Sequence, residues 1–257
     1  MQWMTVFKTE SIGAWRNYKL IWVPLVFILL GIMDPLSTYY LPQILESVGG
    51  LPEGATIEIP TPPPADVFMM SIGQFNMIGI AVLVLMSMGT IANERKSGIA
   101  ELILVKPVRY GTYVTAKWAS IVVLSLLSMM AGILGSWYYV NLLFGELSFE
   151  LIGAAAGFYG LWIIFVITVT IFMNTLVKTP GLAAFLSIAT LVAMFILSMI
   201  LAHIIEWNPS LLTSYLGDML QTGSIPDNLW GTAVVTILLI TALLISASYI
   251  LKHKELA

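Results

Sequence analysis

Two groups of residues in this sequence have the types and spacing to do chemistry. The larger is the run Ile91-Ala-Asn-Glu94-Arg95-Lys96-Ser-Gly98-Ile-Ala-Glu101-Leu-Ile-Leu-Val105-Lys106-Pro107-Val-Arg109, which continues through Tyr113 to Lys117. It holds five of the chain's eleven basic residues, Arg95, Lys96, Lys106, Arg109 and Lys117. Read as a helix from Asn93, it brings Glu94, Gly98, Glu101 and Val105 within an arc of about 60°. Pro107 then stops that helix, because proline lacks an N–H and clashes with the preceding turn. Charges interleaved around a glycine suit docking, since rim charges set register and partner choice and glycine permits close approach of backbones. The smaller group is Asp34-Pro35, a carboxylate inside an apolar run. Such a group marks a candidate membrane polar site. At about 20 Å along its helix it equally suits the outer interface, where Pro35 bends or ends the helix.

Neither group makes or breaks bonds by a known pattern. The sequence has no G-x-x-x-x-G-K-[ST] phosphate loop and no H-E-x-x-H pair. Its two histidines, His203 and His253, lie fifty residues apart and fall on opposite membrane sides, so they share no metal site. His203 reads as a packed interfacial side chain and His253 as a solvated one. With no cysteine there are no disulfides or thiolate metal sites. No catalytic residue, metal or cofactor is therefore expected on this chain, and nucleic acid is not an expected partner.

The elements that position these residues follow from composition. Hydrophobic residues make up 59% of the chain and charged residues 10%, outside the balance of a soluble domain. Six apolar runs, 20–40, 67–92, 118–142, 151–177, 181–206 and 229–251, each suffice to span roughly 30 Å of hydrocarbon as a helix. They lack the alternation of barrel strands. The fold class is thus an all-α polytopic membrane protein with six transmembrane helices in a single domain, 1–257. Numbering the spans alternately puts every Lys and Arg on one side of the membrane: Lys8, Arg16, Lys19, the five above, Lys178, Lys252 and Lys254. The other side carries Glu46, Glu53, Glu58, Asp66, Glu146, Glu150, Glu206, Asp218 and Asp227 and no basic residue. The positive-inside rule makes the basic side cytoplasmic, with both termini there.

The remaining segments are read from the same patterns. Residues 1–19 form a cytoplasmic interfacial helix, with Trp3, Phe7, Ala14 and Tyr18 on one face and Lys8, Arg16 and Lys19 broadly opposite. The outer loop 43–66 is acidic, and its Pro62-Pro63-Pro64 is extended. In the second outer loop, 207–228, Leu211, Leu212, Tyr215, Leu216, Met219 and Leu220 suggest a short helix lying on the outer membrane surface. Small residues at helical spacing, Ser128, Gly132 and Ser136, then Gly153, Gly157 and Gly160, allow close helix approach. They serve packing within the chain or a subunit interface alike.

Six spans behind an amino-terminal interfacial helix resemble the membrane subunit of ABC-2 type ABC transporters. More telling is the exit of the second span, where Glu94-Arg95, Gly98, Glu101, Pro107 and then Tyr113-x-x-x-Lys117 resemble that family's pattern across 93–117. The resemblance implies a separately encoded ABC ATPase in two copies, which binds the ATP and Mg, and a second permease subunit, the same or homologous, in a bacterial or archaeal cytoplasmic membrane. By the same resemblance, residues 93–117 are a cytoplasmic coupling segment, with Glu94, Arg95, Lys96, Gly98, Glu101, Val105 and Pro107 at the ATPase contact. A pathway lined by Thr, Ser, Met and aromatics favours export of an amphipathic peptide, drug-like or lipid-like substrate. Maturation of a metalloenzyme of the nitrous-oxide reductase type is the alternative within the family. An ion-coupled secondary transporter, or a scaffold or sensor, is the alternative outside it.

Overall fold

The computed structural model describes residues 2–47, 60–98, 109–200 and 206–254. Among these, six helices are long and apolar enough to cross a membrane. An amphipathic helix α1 (Gln2–Arg16) precedes the first span, α2 (Lys19–Ser47). The second span is built in pieces: α3 (Pro64–Gln74), a π-helical turn (Phe75–Gly79), α4 (Ile80–Ser87) and, after a break at 88–91, the short α5 (Ala92–Lys96). Then come α6 (Tyr110–Leu143), α7 (Phe149–Leu176), α8 (Pro180–Ile200), a 3-10 turn (Pro209–Leu211), α9 (Leu212–Thr222) and α10 (Asp227–Lys254).

α7 is the hub. Ile152, Tyr159, Ile163, Val166, Ile167 and Ile171 are fully or almost fully buried along it, with α6, α8 and α10 packed around it. α2 lies against α6 in backbone contact: a Cβ added to Gly31 would run into the Gly132 carbonyl oxygen. Ser136 donates to Ser71 at 2.9 Å, and Ser71 donates to the Gly31 carbonyl at 3.1 Å, which fixes the same crossing. The Ser128–Gly132–Ser136 stripe is therefore buried inside the chain. Gly153 and Gly157 face outward with nothing within 4 Å of a built Cβ. Gly160, the third of that stripe, is buried against Leu126.

Several boundaries and faces differ from the sequence expectation. Pro35 does not end the first helix, which continues through Pro24, Pro35 and Pro42 to Ser47. The third span starts at Tyr110 instead of 118, so Tyr113 and Lys117 belong to its helix. α1 stops at Arg16, and Tyr18, at φ 55, leaves the face it was expected to share with Trp3, Phe7 and Ala14. α9 forms where expected, but Leu212, Leu216, Met219 and Leu220 are buried against the protein. Its apolar stripe packs on α7 and α3, so the bundle covers it and the membrane surface does not. His203, Glu53 and Glu58 lie outside the described residues.

Candidate functional site

The break in the second span creates unpaired backbone groups, and the way they are satisfied builds the site. Between α4 and α5 the chain turns at 88–91, so carbonyls at the end of α4 and N–H groups at the start of α5 lose their helical partners. Asn174, fully buried near the end of α7, supplies both. Its Oδ1 accepts from Ala92 N–H at 3.2 Å and Ile91 N–H at 3.4 Å, and its Nδ2 donates to the Ser87 carbonyl at 3.4 Å. Lys19 at the head of α2 donates to the Met86 carbonyl at 3.0 Å. One amide thus stands in for a missing turn of backbone and fastens α5 to α7.

Two charged residues of α5 turn inward. Arg95, 6% exposed, donates through Nη1 to the Thr175 carbonyl at 2.8 Å and to the Val177 carbonyl at 3.5 Å. A guanidinium there also complements the negative end of the α7 dipole. Glu94 accepts from Lys117 Nζ at 2.8 Å and from the Tyr113 hydroxyl. Tyr113 and Lys117 are one turn apart on α6, and the ammonium lies 5.2 Å from the Tyr113 ring centre. Lys117 also binds Glu10 of α1. Its side chain is 2% exposed, while Glu10 and Glu94 retain 26% and 24%. A buried cation between two partly wet carboxylates avoids the penalty of an unpaired buried charge.

Four elements, α1, α5, α6 and α7, therefore meet at one polar knot at the basic end of the bundle. Among the predicted contact residues, Glu94 and Arg95 are not free rim charges: their side chains bridge α5 to α6 and to the end of α7. Lys96 is exposed. Gly98 has φ +74 and donates to the Arg95 carbonyl at 3.4 Å, which is the left-handed ending that favours glycine. The continuous helix expected from Asn93 to Val105 is thus interrupted at Gly98, and Glu94 and Gly98 do not lie on one unbroken helical ridge. Glu101, Val105 and Pro107 lie outside the described residues.

Asp34 is placed apart from the knot. Gln74 Nε2 donates to its Oδ1 at 3.4 Å, and its Oδ2 is secluded with no partner among the described residues. Sequence reasoning misses Asn174, Glu10 and the roles of Tyr113 and Lys117. Tyr113 and Lys117 are visible as an i,i+4 pair, but nothing local indicates that they close on Glu94.

Six long apolar helices define an integral membrane protein. A family profile described as ABC-2 family transporter protein matches residues 62–255, from just before α3 to the end of α10. This chain belongs to that family. It is also 31% identical over 252 residues to the protein of Bacillus subtilis (strain 168) described as uncharacterized transmembrane protein YxlG, an alignment that covers 98% of each chain and so includes α1 and α2.

Proposed function

We propose that this chain is the permease subunit of an ATP-driven exporter, with hydrolysis carried out by a separately encoded ABC ATPase bound on the basic, cytoplasmic side. The observation that carries this reading is the knot. Glu94, Arg95 and Asn174 clamp α5 to α6, α7 and α1, so a force applied to the segment after Lys96 is delivered to the third and fourth spans together. Rigid, multiply anchored elements are what convert closure of a partner into rocking of helices. In this reading Lys96, exposed at the end of α5, makes part of the ATPase contact, and Glu94 and Arg95 act behind it. Two ATPase copies and a second permease complete the assembly, and both termini lie in the cytoplasm of a bacterial or archaeal cell, as the positive-inside rule requires. The transported molecule is amphipathic, because the described spans offer it apolar walls with isolated polar groups such as Asn76.

Affinity purification of the full chain from native membranes, with mass spectrometry of what it retains, tests the proposal. An ABC ATPase in stoichiometric amount is expected. Its absence, or nucleotide hydrolysis by the purified chain alone, overturns the reading.

A further inference from the structure

A cavity of about 540 Å³ opens between the second span, α7, α8 and the 209–213 turn, within the range of small-molecule sites. Its wall is apolar except at a few points, and those points are unequal. Thr213 donates to the Ser210 carbonyl at 3.2 Å, and Ser210 is engaged with Asn208 and Ser198. Asn76, in the π-helical turn, also lines the cavity. Its Oδ1 accepts from Trp162 Nε1 at 3.1 Å and from the Tyr159 hydroxyl at 3.3 Å. The indole N–H can only donate, so the amide cannot be turned the other way without leaving Trp162, 6% exposed, unpaired. That pins the oxygen and leaves the Asn76 NH2 group without a protein partner among the described residues. The π-helical turn presents this side chain here, and such turns recur at functional sites. Met77, Val192 and Phe195 at the rim are exposed on the outer surface of the chain, so the cavity opens sideways.

We infer that this cavity is a binding site for an uncharged, lipid-soluble molecule that carries a hydrogen-bond-accepting oxygen, an ester or a carbonyl, held by the Asn76 amide. No ionised side chain lines the cavity, so a charged group would enter it without a counter-ion. A plain hydrocarbon would leave the amide NH2 unsatisfied, whereas an ester carbonyl satisfies it. This names a substrate class for the exporter proposed above and rests on that reading, but binding itself needs no ATPase.

The test is photolabelling of the purified full chain in nanodiscs with a diazirine-bearing methyl palmitate, read by peptide mapping, in competition with unlabelled methyl palmitate or hexadecane. Labelling is expected at the cavity rim around Met77 and Phe195. The ester should compete about tenfold better than the alkane, the factor that one buried hydrogen bond of about 1.4 kcal/mol carries. Asn76→Leu should erase that preference. Val192→Trp, which fills the mouth and leaves the Asn76 contacts intact, should abolish rim labelling by the ester. Equal competition by ester and alkane, or rim labelling that survives Val192→Trp, overturns the inference. So does a rim that takes no label while Val192→Trp changes the oligomeric state, since a second copy would then fill the cavity. If labelling follows the expected pattern but methyl palmitate leaves ATP hydrolysis by the whole complex unchanged, the site stands and its role in export falls.

Discussion

Lys117→Met strikes the knot at its centre. The methionine keeps the volume of the side chain but removes the cation, so Glu10 and Glu94 confront each other across an apolar tip. Removing one partner of a buried ion pair costs about 3–5 kcal/mol. Here the two carboxylates keep 26% and 24% of their exposure, and water reaches them, so the lower end, about 3 kcal/mol, applies. Glu94→Gln should cost less, about 1.5 kcal/mol for one hydrogen bond to a charged group, because Lys117 retains Glu10. The double variant should be less damaged than the sum by about 1–2 kcal/mol, since the neutral amide in place of the Glu94 carboxylate no longer repels Glu10. The assay is unfolding of the full chain in micelles of rising SDS content, followed by the fluorescence of its eight tryptophans. Effects that add within about 0.5 kcal/mol would show that Lys117 and Glu94 do not act on each other, and the knot would be wrong.

Other changes probe its neighbours. Asn174→Leu keeps the bulk but strands two N–H groups of the α4–α5 break, while the Ser87 carbonyl keeps the Thr90 N–H at 3.2 Å; we expect a loss of about 2–4 kcal/mol in the same unfolding assay. It should also bring a fall in transport-coupled ATP hydrolysis with little change in ATPase binding. Gly132→Ala places a Cβ 2.6 Å from the Phe27 carbonyl oxygen, so α2 and α6 must separate. A stability loss of about 1–3 kcal/mol is expected, and an unchanged unfolding midpoint would refute the crossing. Gly98→Ala meets nothing within 4 Å and is penalised only by its backbone, by roughly 1–2 kcal/mol. It should speed amide exchange in Ala92–Ser97, and Gly98→Asn should do so less.

The spans were legible because a membrane imposes a rule that needs no tertiary information: about twenty apolar residues per crossing. Charge sorting predicts their alternation by a rule that likewise needs no tertiary information. Partners were not legible. A helical wheel shows that Leu212, Leu216 and Leu220 share a face, but lipid and protein both accept an apolar face, and α9 chose protein. Glu94 and Arg95 looked like surface charges because most charges in a short loop are. Their partners Tyr113, Lys117 and the end of α7 are 19, 23 and 80 positions away in the chain. Asn174 was a single polar residue at the end of an apolar run and offered no pattern. The ending at Gly98 does have a local signal, since Arg95-Lys96-Ser97-Gly98 has the basic last turn and following glycine of a helix ending.

If the exposed side of the 96–98 segment takes up the ATPase while the knot behind it stays closed, the partner must shield Lys96. The chain has no native cysteine, so Lys96→Cys gives a unique label. Its reaction with a membrane-impermeant maleimide can be followed in inside-out vesicles, with the ATPase retained or stripped away. We predict that the retained ATPase slows labelling at least tenfold, that stripping restores it, and that intact cells show none. Equal labelling with and without the ATPase, or labelling from outside intact cells, would contradict the account.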